Sequence, residues 1–178
     1  VGIIIAVFAR RRPAVVNRTF GRLQIISSTW FALTHGANDG QKTMGIIVLI
    51  LFSADLISEI HMPLWVILAA ASAMGLGTFF GGYKVIKTLG LRITRLKPYQ
   101  GFAAETGGGI MLAAFAILGI PASTTHAITG SVMGAGAARR IRAVRWKVSR
   151  QIIFSWVITI PGAAGLAIAF TYIIHLFV

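Results

Sequence analysis

Apolar residues along this chain run in long blocks, without the strict alternation of a half-buried strand, and basic clusters separate the blocks. Positions 63 to 83 and positions 151 to 178 hold no Asp, Glu, Lys or Arg. Each is long enough for a spanning helix, which needs about 20 consecutive apolar residues. Sixteen of the 17 Lys and Arg residues fall in three segments: Arg10 to Arg22, Lys84 to Lys97 and Arg139 to Arg150. Such clusters mark cytoplasmic loops of a membrane protein.

If all three clusters face one side, the blocks between them form a consistent path. Val1 to Ala9 reads as the tail of a truncated helix ending inward at Arg10. Leu23 to Met62 crosses once, from a basic end to an end carrying Glu59 and His61 but no Lys or Arg. Pro63 to Tyr83 returns, and Tyr99 to Ala138 starts and ends beside basic loops, so it is a hairpin that either spans or re-enters. Gln151 to Val178 runs outward as the last helix, with Trp156 and Tyr172 expected as interfacial anchors.

Two blocks carry breaks in their pattern. As one helix, Leu23 to Met62 would measure about 60 Å at 1.5 Å per residue, about twice the hydrocarbon thickness. Thr34-His35-Gly36-Ala37-Asn38-Asp39-Gly40 supplies strong local breakers and predicts an interrupted helix. The hairpin is predicted to turn at Gly119-Ile120-Pro121, with Gly107-Gly108-Gly109 loosening its first arm. Irregular backbone at membrane depth survives only inside protein or around a polar cavity, and paired interruptions mark binding sites in secondary transporters.

Composition narrows the class further. The chain is 56% hydrophobic and 12% charged, about half the charge usual in soluble domains. The net charge of +13 is accounted for by the loop clusters, which carry few aromatics and no recognisable module of a nucleic-acid binder. The loops also suit anionic lipid. With no Cys there is no disulfide framework and no thiolate metal site.

Polar residues collect at the two breaks. Asp39 is one of four acidic residues, and its burial within a span is costly. It either pairs with Lys42 at i+3 or, with Asn38 and freed carbonyls, supplies hard oxygen ligands for a small cation; a proton on Asp39 is the alternative. Lys42 is the one basic residue outside the loops and suits an anion. Ser123, Thr124 and Thr125 follow Pro121 at a predicted helix start, where N–H groups, the dipole and hydroxyls favour an anion; simple capping needs only one of them. Glu105 is either a boundary charge or a ligand, and Gln41 either solvates the break or donates to a ligand. His35 and His126 suit polar packing, and Gly130 to Gly134 close helix approach.

The strings THGANDGQKTMG (34 to 45) and GIPASTTHAITGSVMGAG (119 to 136) resemble the inorganic phosphate transporter (PiT) family. The resemblance implies an all-α, polytopic transmembrane bundle with an interrupted helix and a helical hairpin, one half of an inverted-repeat transporter. Residues 1–178 then form the C-terminal repeat, with the N-terminal repeat missing. It implies secondary active transport of inorganic phosphate coupled to sodium or protons across a cell membrane, and no enzymatic activity. The expected phosphate ligands are Ser123, Thr124, Thr125, Gln41 and Lys42; the expected cation ligands are Asn38, Asp39 and Glu105. Beyond a sodium ion or proton no cofactor or metal is expected. Expected partners are phosphate, the coupling ion, the bilayer and the second repeat, with a homodimer left open and nucleic acid excluded. Two alternatives stand beside this: a transporter of sulfate or arsenate, and an intramembrane metal hydrolase holding zinc on His35, Asp39, His126 and Glu105.

Overall fold

Every regular element among the described residues is helical. The computed structural model describes residues 1–8 and 11–175, apart from the side chains of Ile5 and Lys84. The helices are α1 (Gly2–Phe8), α2 (Pro13–Ser53), α3 (Leu64–Lys87), α4 (Pro98–Ile117), α5 (Thr124–Ala137) and α6 (Trp146–His175). A π-helical turn, Thr88–Ile93, follows α3, and a 3₁₀ turn, Ile141–Ala143, precedes α6. The predicted inward end of the first block, Ala9 and Arg10, lies outside the described residues.

The predicted interruption in the second block is absent. α2 is one helix of 41 residues, about 60 Å long. Two glycines in a helix cost roughly 1 kcal/mol each, and tertiary contacts cover that cost. The Asn38 amide, which in isolation would favour a turn, donates instead to the carbonyls of Thr34 in its own helix and Leu112 in α4, both at 3.0 Å. α2 also begins at Pro13 rather than Leu23, because Pro suits the first helical turn. Arg18 and Arg22 are therefore helical residues, not loop residues.

Gly107 to Gly109 likewise sit inside an intact helix, and two of them serve packing. A Cβ on Gly109 would lie 2.7 Å from the Trp30 ring, and one on Gly108 would lie 3.0 Å from Ser131 Oγ and 3.2 Å from Phe31. Glycine there lets α4 lie close along α2. The two run parallel from the basic end, as the Phe20–Phe102 edge contact at 5.4 Å and the bonds of Glu105 to Gln24 and Ser27 show.

The hairpin turns where predicted. Gly119 has φ +67, a conformation that costs glycine little and other residues more, and Pro121 follows before α5 starts. α5 has 14 residues, roughly 21 Å, and its first turn packs His126 against Trp156 with ring centroids 3.9 Å apart. Trp156 is the eleventh of the 30 residues of α6, so it stands well inside the helix and not at the expected interfacial position. Trp146 occupies the helix start instead. Beyond Lys42, α2 continues for 11 residues to Ser53, about 16 Å. The hairpin tip thus stops partway along both neighbouring helices.

α3 and α6 each contain a stretch long and apolar enough to cross a membrane, Leu64–Tyr83 and Trp146–His175. The latter is almost entirely exposed within the chain.

Candidate functional site

The i, i+3 and i, i+4 spacings of a helix put neighbours on one face, and α2 uses both around Asp39. His35 Nε2 lies 3.1 Å from Asp39 Oδ2, and Lys42 Nζ donates to Asp39 Oδ1 at 3.1 Å. His35 in turn stacks beside Phe31 with centroids 6.3 Å apart. Because α2 is helical through this stretch, its carbonyls are not freed for a cation; the polar groups on offer are side chains.

The hairpin closes onto that face. Thr124, buried in the first turn of α5, donates from Oγ1 to Asp39 Oδ2 at 2.8 Å. Lys42 Nζ also donates to the Ala122 carbonyl. Both signature strings, separated by some eighty residues, therefore meet at one carboxylate. Asp39 is 29% exposed and Lys42 34%, so the cluster remains reachable from one side.

Ser123 is the N-cap of α5, with Oγ accepting from the His126 N–H at 3.3 Å. Ser123 and Thr125 are exposed at the start of α5, whose first N–H groups have no intrahelical acceptor, and Lys42 reaches the same turn through the Ala122 carbonyl. That assembly of donors and one positive charge is suited to an anion. Asn38 is 3% exposed and spends its amide on the two carbonyls that bind α2 to α4.

Two predicted ligands lie apart from this cluster. Glu105 accepts from Gln24 Nε2 at 3.2 Å and from Ser27 Oγ at 2.5 Å. Ser27 is twelve residues before Asp39 along α2, about 18 Å, so Glu105 does not join Asn38 and Asp39. The reason is the parallel course of α4 beside α2, which keeps a residue early in α4 near the basic end. Gln41 is exposed and lies about 200° around the helix from Asp39 at 100° per residue. The zinc grouping also comes apart: His126 packs on Trp156, and among the described residues no three His, Cys, Asp or Glu side chains could hold one ion.

Gln24 and Ser27 escape a reading of the sequence, although their i, i+3 spacing puts them on one face of α2. Gln100 escapes it too. Buried at 3% exposure, it accepts from the Lys97 N–H and donates to the Ala135 carbonyl, both at 3.0 Å, and so ties α4 to α5.

A helical bundle with apolar spanning helices and an ion-suited cluster at a hairpin tip defines a membrane protein of the transporter class. The chain belongs to the phosphate transporter family, whose model matches residues 4–167. It is similar to the "Probable low-affinity inorganic phosphate transporter" of Rhizobium meliloti (strain 1021), with 52% identity over 158 residues, 88% of this chain and 47% of that protein. The protein of the same name from Bacillus subtilis (strain 168) is 38% identical over 175 residues, 98% of this chain and 53% of that one. A solved structure described as "The sodium-dependent phosphate transporter" is 33% identical with a TM-score of 0.72, covering 82% of this chain and 37% of its own. The chain spans about half the length of the curated relatives it matches. The names of these relatives describe transporters, not enzymes, which speaks against the hydrolase alternative.

Proposed function

We propose that this chain forms one repeat of a cell-membrane transporter that carries inorganic phosphate together with a cation. One observation carries the reading: the Thr124–Asp39 bond at 2.8 Å, which brings the anion-suited start of α5 to the acidic centre of α2. Phosphate would sit on Ser123, Thr124 and Thr125 with Lys42 beside them, and the cation on Asp39. Both Asp39 oxygens are engaged by Lys42, His35 and Thr124, so an arriving cation competes with Lys42 and releases its ammonium toward the anion. Sodium is the favoured coupling ion, because hard oxygen ligands suit it and the similar solved protein is described as sodium-dependent.

The half-length match to the relatives supports a second, complementary repeat that completes the site. The hairpin stops partway along α6, which supports re-entry over full crossing, with the basic ends on the cytoplasmic side. The test is phosphate uptake into vesicles carrying the whole protein under imposed sodium or proton gradients, with sulfate and arsenate as competitors. Uptake that follows sodium and resists sulfate supports the proposal. Uptake indifferent to both gradients, or stronger for sulfate, overturns it.

A further inference from the structure

Four helix ends converge on the second and third basic segments: the end of α3, the start of α4, the end of α5 and the start of α6. The two segments are locked to each other. The Arg145 N–H donates to the Ile93 carbonyl at 2.8 Å, and Ile93, Ala104, Val132, Ala135 and Val144 form a buried cluster beneath them. A Cβ on Gly136 would come within 3.1 Å of Thr94 and 3.2 Å of Val144, so α5 and both segments are pressed together. Two loops far apart in sequence become one rigid surface.

That surface is positive and uncompensated. Every described basic side chain from Lys87 to Lys97 and from Arg139 to Arg150 is exposed, and both ion pairs among the described residues belong to Asp39. The other acidic residues lie elsewhere: Glu105 in the α2–α4 interface, and Asp55 and Glu59 in the connection after α2. Apolar side chains stand among the charges. Ile141, between Arg140 and Arg142, is 70% exposed, and Trp146 is 44% exposed with its indole N–H donating to the Ile141 carbonyl at 2.9 Å. A merely topogenic charge cluster needs no fixed geometry and no apolar tip.

We propose that the joined loops are a docking platform for anionic phospholipid headgroups. Ile141 and the Trp146 ring enter the boundary between headgroups and acyl chains, where an indole fits with its polar edge satisfied. Arg140, Arg142 and Arg145 hold lipid phosphates, to which guanidinium binds in a fork. The platform is distinct from the Asp39 cluster, and its test is independent of phosphate transport.

The experiment uses the whole protein purified in neutral detergent and titrated with mixed micelles of phosphatidylglycerol or phosphatidylcholine. Retained lipid is read by native mass spectrometry and stability by thermal melting. The parent retains phosphatidylglycerol at least about tenfold better than phosphatidylcholine and melts later with it. R140Q/R142Q/R145Q weakens that retention roughly tenfold to a hundredfold, as expected for surface cations facing anionic lipid. R11Q/R18Q/R22Q, which removes the same charge from the first segment, changes it less than about threefold. Equal loss in both variants, equal retention of the two lipids, or displacement of the lipid by free inorganic phosphate overturns the proposal. Should the platform variant fail to fold, a salt titration of the parent decides: retention must fall steeply with salt, and salt-independent retention overturns it.

Discussion

Asp39 and Glu105 are two carboxylates on the same seam between α2 and the hairpin, and their surroundings differ in kind. Asp39 meets two cationizable groups, Lys42 and His35, and one hydroxyl. Glu105 meets only neutral donors, the Gln24 amide and the Ser27 hydroxyl. Pairing offsets the cost of holding a charge away from water, whereas neutral hydrogen bonds alone offset it only in part. Charge balance at Asp39 is thus built into the protein. At Glu105 no cationic side chain takes part, and the carboxylate is held by the two neutral donors alone. The seam thus has an ion-paired carboxylate near the hairpin tip and one held by neutral donors near the basic end.

Replacing Asp39 by Asn attacks this contrast most directly. It keeps the shape and one acceptor but removes the charge that Lys42, His35 and Thr124 address, so gradient-driven phosphate uptake should fall by roughly 100-fold, the worth of two decades. Membrane insertion, followed by protease protection, should be unchanged. Normal uptake by this variant would make Asp39 a structural partner of Lys42 and nothing more.

Next in size is the joint change of Ser123, Thr124 and Thr125 to Ala. Hydrogen bonds to a charged group are worth roughly 1.5–3 kcal/mol each, so phosphate affinity should weaken about tenfold or more. If Ser123 is only the cap it resembles, the loss is about 1 kcal/mol of helix stability and the dissociation constant stays put. Measuring that constant beside the melting temperature separates the two outcomes.

The smallest effect is expected from Glu105→Gln, which keeps one acceptor oxygen for Ser27 while removing the charge. The sodium concentration for half-maximal uptake should rise about threefold to tenfold, with phosphate affinity at saturating sodium nearly unchanged. An unaltered sodium dependence would reduce Glu105 to a tie between α2 and α4.

Much of this arrangement is legible in the sequence because it rests on local chemistry. The Gly119-Ile120-Pro121 turn, the start of α5 at the hydroxyl run and the apolar return helix from Leu64 all follow from residues that dictate their own conformation. The Asp39–Lys42 pair follows from i+3 spacing. What the sequence conceals depends on partners far along the chain. The Asn38 and Gly40 breakers are overruled by a carbonyl at Leu112, 74 residues away. Gly108 and Gly109 read as loosening until Trp30 and Phe31 are seen against them. Glu105 is drawn away from Asp39 by Gln24 and Ser27, 81 and 78 residues distant.

Because α2 runs unbroken from Pro13 to Ser53, it has no hinge beside Asp39. Bending it there would open hydrogen bonds inside a continuous ladder, whereas the turn from Leu118 to Ser123 lies outside any helix and can absorb dihedral change cheaply. Opening of the site then falls to the hairpin tip, because α4 is tied to α2 through Asn38 and Glu105. Movement of the tip away from α2 parts the Thr124–Asp39 and Lys42–Ala122 contacts together.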